Sequence, residues 1–387
     1  MRILIVHNFY KQYGGEDQMV HEQVKLLNGR GNEVFLYSKN NNELPRNKYK
    51  VFKEAYYSIN TIKELNEIIF NYKPEIAHIH NIFPQISPSV YDVLAGKGIP
   101  IIQTLHNYRL ACPNGLFFNK GKVCTLCLEK GDFYYCAIKR CYRNSYIQSY
   151  WYSDILNKNS KIGIFGKIDK FIALNEFMRE IMIRKGYSSD KIVVIPNGIS
   201  CTNGPNFHKK NYLVYVGRLS KEKGIFTLIE AIELLPNIQL KILGDGDEKN
   251  KLVKYIQKKN IKNIEFLGFL NGQIKDEIIE HAKAIIVPSE WYENFPTVVL
   301  EALSLGTMAI VSKTGGLQHM IKDNYNGLLF QSTNSMDLKA KIRYTIENDQ
   351  KLLEMSKNAY ESFINRYSSH VFYDNLINLY NQLLKNG

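Results

Sequence analysis

The chain has 387 residues, 45% of them apolar and 22% charged, which suits two globular domains with separate cores and excludes a disordered or fibrous chain. No stretch approaches the roughly 20 apolar residues of a spanning helix. The opening MRILIVHNFYKQYGG lacks the apolar core and cleavage site of a secretory leader, so a cytoplasmic protein is expected. The net charge of +13 is uneven: residues 1–200 carry 27 Lys+Arg against 17 Asp+Glu, and residues 201–387 carry 23 against 20. So basic an N-terminal half suits an anionic neighbour, such as a membrane surface or a phosphorylated substrate, or else is a well-solvated surface. No run of five like charges occurs, which argues against nucleic acid as a partner.

Short apolar runs alternate with amphipathic segments, the pattern of strands and helices in α/β layers. RILIVHNF (from Arg2) reads as a buried strand, and Gly14-Gly15 opens a helix with Glu16 and Asp17 in its first turn. EVFLYS (from Glu33), IAHIHNI (from Ile76), IPIIQTLH (from Ile99), KFIALN (from Lys170) and KIVVIPNG (from Lys191) read as further strands. Ser200 to Asn211 is polar and turn-rich, a credible linker. The alternation then restarts with YLVYVG, a helix from Gly224, IQLKILG, IEFLG, AKAIIVP, a helix from Pro296 and TMAIVS; from about Asp337 onward the pattern is helical. The expectation is an N-terminal domain over 1–204 with a Cys-rich insertion at 112–141, a C-terminal domain over 205–365, and a helix over 366–387 packing back toward the first. Ligands of such sheets bind outside the carboxyl ends of the strands, so the loops there hold the candidate sites.

VPSEWYENFPTVVLEALSLG, Val287 to Gly306, is the most informative of these loops. Pro296 is expected at the first helical position, with the amides around Phe295, Pro296 and Thr297 forming a phosphate site at the helix N-terminus. Glu293 and Glu301 flank that site and suit sugar hydroxyls, although a capped surface helix would carry the same residues. In VGRLSKEKG, Arg218 and Lys223 lie between a strand end and a helix, where both reach an anion or are merely solvated.

Taken together, GGED (from Gly14), PNGI (from Pro196), VGRLSKEKG, LGDGDEKNKL (from Leu243), Glu293-x7-Glu301 and TGG (from Thr314) resemble, in order and spacing, family 4 of the retaining glycosyltransferases. The resemblance implies a GT-B architecture: two Rossmann-like, doubly wound domains facing across a cleft, with acceptor bound by the first and nucleotide-sugar by the second. It implies that Arg218 and Lys223 neutralise the donor diphosphate. Glu301 would take the ribose hydroxyls, Glu293 the hydroxyls of the donor sugar, and Phe295 and Thr297 amides the phosphate. Gly14 and Gly15 would close over it, and His106 matches the family's active-site histidine. Catalysis would be retaining and need no metal cofactor, with a UDP- or GDP-sugar as donor. Ser200 and His319 depart from the family's usual Asp and Glu, and no ligand contact is assigned to them.

Gly244-Asp245-Gly246 is too incomplete for a dinucleotide loop, because Lys249 replaces the third glycine. Asp245 and Asp247 resemble a metal-binding pair of a different transferase architecture and are set aside. Five of the six cysteines fall between Cys112 and Cys141; Cys112, Cys124, Cys127 and Cys141 form a candidate structural zinc site, with packed thiols or disulfides as the alternatives. Tyr150, Trp151, Tyr152 and Ile155, with Lys158, Lys161, Lys167 and Lys170, suit either a packed helix or an anionic membrane at the inner face. The expected function is transfer of a sugar from a nucleotide-sugar to a glycan or lipid-linked acceptor in surface or capsular polysaccharide synthesis. An epimerase, a phosphorylase or a non-catalytic nucleotide-sugar-binding scaffold of the same fold are the alternatives.

Overall fold

The computed structural model describes residues 1–12, 14–45, 47–201 and 204–386. Thr202 and Asn203 of the expected linker, and Gly387 of the expected terminal helix, lie outside the described residues. The chain forms two compact units: Met1–Phe117 with Thr125–Asn197 and Phe372–Gly387, and Phe118–Cys124 with Gly198–Val371.

The N-terminal unit is built on strands β1 (Arg2–Phe9), β2 (Glu33–Asn40), β3 (Ile76–Ile79) and β4 (Ile101–Leu105). In chain order a short hairpin that belongs to the other unit, β5 (Phe118–Asn119) with β6 (Lys122–Val123), comes before β7 (Lys170–Ala173) and β8 (Ile192–Val194). The six long-range partners form one parallel sheet in the order β2-β1-β3-β4-β7-β8. Ile3, Leu4, Ile5 and Val6 are wholly buried, as expected for a strand covered by helices on both faces. The helix Ser369–Asn386 contributes its length from Phe372 to this unit, and Tyr380 on it donates or accepts a hydrogen bond with His78 Nδ1 at 2.6 Å.

The C-terminal unit repeats the plan with β9 (Tyr212–Val216), β10 (Gln239–Leu243), β11 (Ile264–Gly268), β12 (Ala284–Val287), β13 (Ala309–Ser312) and β14 (Gly327–Phe330). Their order is β11-β10-β9-β12-β13-β14, again parallel throughout. Leu213, Leu228, Ile232, Leu240, Ile286 and Ile310 lie at the centre of its core. Both units are doubly wound, Rossmann-like layers, and the fold is GT-B.

Strand order reverses once in each sheet, between β1 and β3 and between β9 and β12. At such a switch point adjacent loops leave toward opposite faces and open a crevice for a ligand. Those two places position everything that follows.

Candidate functional site

In the C-terminal unit, the loop after β9 carries Arg218 and Lys223, and the loop after β12 carries Glu290 and Glu293. Glycine makes their approach possible. Gly224 has φ +67°, and a Cβ there would lie 1.9 Å from the Pro288 carbonyl oxygen. The two loops therefore touch backbone to backbone. Lys223 Nζ then reaches Glu293 Oε1 at 2.5 Å, and Ser289 Oγ donates to the same oxygen at 2.7 Å. The Glu293 side chain is 6% exposed and that of Lys223 is 21%, so the pair is largely withdrawn from water. Lys223 also lies 5.2 Å from the Trp291 ring centroid, while Arg218 is exposed.

Gly315, at φ +52°, packs under the same loop: a Cβ there would meet the Glu293 carbonyl oxygen at 2.6 Å, and the Gly316 amide donates to that oxygen. The glycines of the TGG stretch thus hold the backbone of Glu293. The helix Thr297–Ser304 follows, with extended Pro296 as its N-cap. Sequence placed Pro296 one position later, inside the first turn; its ψ of 119° keeps it outside the helix. Glu301 lies on this helix and pairs with Lys275 at 2.8 Å, a partner that no motif signals.

Gly244 and Gly246 serve packing. A Cβ at either would enter the Gly217 or Leu219 carbonyl, at 1.9 and 2.4 Å, which fits a close crossing of two βα loops. Asp245 is engaged by Lys249 at 2.8 Å.

In the N-terminal unit, the carboxyl ends of β1, β3 and β4 gather His7, His78, His80 and His106. Asp17, in the first turn of the helix Gly15–Gly29, is wholly buried and accepts from His7 Nε2 at 2.8 Å. It also accepts from the amides of Tyr10 at 3.3 Å and Gly14 at 3.2 Å. Gly14 and Gly15 therefore start this helix over a buried carboxylate. His106 Nε2 bonds His80 Nδ1 at 2.7 Å, and the rings stack at 5.0 Å. His78 Nε2 bonds Thr104 Oγ1 at 2.7 Å. Burial lowers the pKa of His106, helped by the charge of His7, and that of His78, helped by His106, each to about 3; His80 is driven well below its ordinary value by the same burial. His78, His80 and His106 are therefore neutral at pH 7. His80 escapes motif reading, although His-x-His at the end of a buried strand, with both rings on one face, signals it.

The four-cysteine zinc site is not assembled. Among the described residues no three His, Cys, Asp or Glu side chains gather to hold a metal ion. Two of the thiols have other polar neighbours: Cys112 Sγ lies 3.0 Å from Asn114 Oδ1 in its own turn, and Cys127, on the short helix Leu126–Lys130, lies 3.9 Å from the Phe133 carbonyl oxygen. No disulfide joins cysteines among the described residues. The aromatic and basic helix Tyr146–Lys161 buries Tyr152 and Ile155 and exposes Tyr146, Ile147 and Tyr150. Lys158 and Lys167 are held by Asp154 and Asp92. No described helix is long and apolar enough to cross a membrane.

Residues 13–203 match the family described as Glycosyltransferase Family 4, and residues 203–362 match Glycosyl transferases group 1. The chain belongs to these family 4, group 1 glycosyltransferases. Among its relatives is the N,N'-diacetylbacillosaminyl-diphospho-undecaprenol alpha-1,3-N-acetylgalactosaminyltransferase of Campylobacter jejuni, 24% identical over 382 residues, covering 94% of this chain and 90% of that one. The solved sucrose-phosphate synthase of Thermosynechococcus elongatus superposes with a TM-score of 0.76 at 18% identity, over all of both chains. An Anabaena protein solved with UDP and glucose superposes with a TM-score of 0.68 at 16% identity, over 99% of this chain and 100% of that one. For this glycosyltransferase, these structural likenesses establish the fold.

Proposed function

We propose that the C-terminal unit binds a UDP- or GDP-sugar and that the N-terminal unit presents a glycan or lipid-linked acceptor for transfer with retention. The observation carrying this reading is the Lys223–Glu293–Ser289 cluster at the switch point between β9 and β12, on a loop that also carries Arg218. Arg218 and Lys223 balance the charge that appears on the β-phosphate as the C1–O bond breaks. Fixed cations of this kind lower the barrier because they need no reorganisation during the reaction. The amides of Phe295 and Thr297 at the helix start add donors to the phosphate. Glu301, steadied by Lys275, takes the ribose hydroxyls, and Glu293 takes those of the donor sugar.

The acceptor oxygen bonds to C1 on the face the diphosphate leaves, and its proton passes to the departing phosphate oxygen. Neutral His106 hydrogen-bonds the transferring sugar. Two cations, Lys223 held by Glu293 and Arg218 on the same loop, perform the charge balance for which other transferases use a divalent metal. A lipid-linked acceptor, and with it surface polysaccharide synthesis at an anionic membrane face, is supported by the named activity of the Campylobacter relative. Exposed Ile138, Tyr146 and Ile147 beside exposed Arg140 and Arg143 support it too.

The test is thermal stability of wild type and Glu301→Ala against UDP, GDP and ADP. A ligand at 100 times its Kd adds about 2.7 kcal/mol of stability. One nucleotide should stabilise wild type and leave the variant unmoved. A panel in which none acts on wild type removes the donor site from the C-terminal unit.

A further inference from the structure

We infer that Arg109 forms an oxyanion subsite of the N-terminal unit, which recognises a phosphate group on the acceptor. The inference rests on the transferase reading above and names the acceptor's chemistry.

A cavity of about 30 Å³ opens at the switch point between β1 and β3, lined by Glu16, His80, Asn81, Gln103, His106 and Arg109, among others. That volume holds one water-sized group, or one oxygen of a larger one. Two nitrogens of its lining residues, Arg109 Nε and His80 Nε2, are buried with no hydrogen-bond partner. Buried polar atoms are nearly always satisfied, so two orphans on one cavity require an explanation.

Arg109 is held as a receptor would be. Its guanidinium faces the Phe83 and Tyr152 rings at 5.6 and 5.8 Å, contacts that fix its plane without using N–H donors. Nη1 donates to Asn81 Oδ1 at 3.3 Å. The nearby Glu16 carboxylate acts on the guanidinium through its charge, while its Oε2 accepts from Tyr10 Oη at 2.9 Å and Asn107 Nδ2 at 3.4 Å. A trapped water would satisfy the orphan nitrogens, and an oxyanion would satisfy them with a charge-assisted bond to the guanidinium. The oxyanion also selects the tautomer in which His106 Nε2–H donates to His80 Nδ1, so that His80 Nε2 carries a hydrogen to donate. The planar fork of arginine matches phosphate better than a point charge does. The phosphate belongs either to a lipid-linked diphosphate or to a water-soluble phosphorylated glycan.

Full-length wild type, Arg109→Gln and Arg109→Lys are titrated calorimetrically, with and without saturating UDP. The probes are a prenyl diphosphate in detergent micelles, the matching prenyl alcohol, and inorganic diphosphate. Wild type should bind the prenyl diphosphate at least tenfold tighter than Arg109→Gln, with Arg109→Lys between them and the alcohol bound alike by all three. The same tenfold dependence for inorganic diphosphate, with no gain from the prenyl chain, upholds the subsite and names a water-soluble source. Equal affinity of wild type and Arg109→Gln for both phosphate probes overturns it and leaves Arg109 a packing residue. If Arg109→Gln does not melt cooperatively, Arg109→Lys carries the same comparison. Failure of wild type to bind UDP would instead strike the transferase reading, while the titrations without UDP still decide this one.

Discussion

Replacing Lys223 with Met should damage stability and turnover separately, and a second substitution should repair only one of them. Lys223 is the close cation on Glu293, whose side chain is 6% exposed. Breaking a buried pair costs about 3–5 kcal/mol, because the remaining charge stays buried. Lys223 is 21% exposed and Ser289 still donates to Glu293, so about 2–3 kcal/mol is expected here, reduced by solvent screening. Adding Glu293→Gln removes the stranded charge and keeps an oxygen for Ser289, which should recover about 1.5–2 kcal/mol as a coupling energy. For a unit of this size 1 kcal/mol moves Tm by about 2–4 °C, so the single variant should melt about 5–10 °C low and the double variant within a few degrees of wild type. Turnover should fall about 100- to 1,000-fold in both, because a transition-state donor is missing from each. The assay is a two-by-two cycle of calorimetric melts with steady-state transfer kinetics. Stability losses that add to within about 0.5 kcal/mol would mean the two side chains are not coupled. Recovery of turnover in the double variant would mean that Lys223 does not serve the diphosphate.

Gly224→Ala should cost more than the roughly 1–2 kcal/mol of left-handed backbone alone, because its Cβ meets the Pro288 carbonyl. Gly268→Ala, at φ +71° with nothing within 4 Å, should show only the backbone cost; equal melting losses would refute the loop contact. Acid should destabilise the protein through His78 and His106, held near 3 when folded against an ordinary value of about 6.5 unfolded. Above pH 6.5 both states are neutral and these groups add no slope. Below it the unfolded chain takes up protons first, so stability falls by about 1.4 kcal/mol per pH unit for each histidine until about pH 3. Denaturant melts between pH 7 and 5 check this, and a flat profile contradicts it. Lys275→Met should weaken nucleotide binding several-fold by releasing Glu301, read as a smaller thermal shift at fixed UDP. Zinc analysis and chelator melts should find no stoichiometric metal and no change in Tm.

The parallel sheets were legible because buried strands read as unbroken apolar runs: ILIV in β1 and AIIV in β12 need no partner to be recognised. The short strand β14 was not, since GLLF opens on a glycine straight after an Asn-rich turn and resembles its continuation. Register and neighbour set Gly327, where a Cβ would meet the Ala309 carbonyl at 2.3 Å, and neither is a local property of the sequence. Cysteine spacing misled for a related reason. A Cys-x2-Cys pair permits zinc, but the backbone around it must aim four thiolates at one point, and here a short helix and an Asn-capped turn give two of them other polar neighbours.

The candidate site divides in the same way. Arg218, Lys223, Glu293 and Glu301 announce themselves because an anion and sugar hydroxyls require charged side chains just past strand ends. Lys275, His80 and Arg109 act through contacts made across 26 or more residues of chain or between different strands, which spacing cannot express. Each is a charged or ionisable group whose burial is costly unless something answers it. Lys275 is answered by Glu301 inside its own unit. Arg109 Nε and His80 Nε2 have no hydrogen-bond partner among the described side chains, although Arg109 Nη1 bonds Asn81 and the Glu16 charge acts on the guanidinium. The folded chain therefore keeps two unpaired nitrogens where strand order reverses, and the oxyanion proposed above is the chemistry that would pair them.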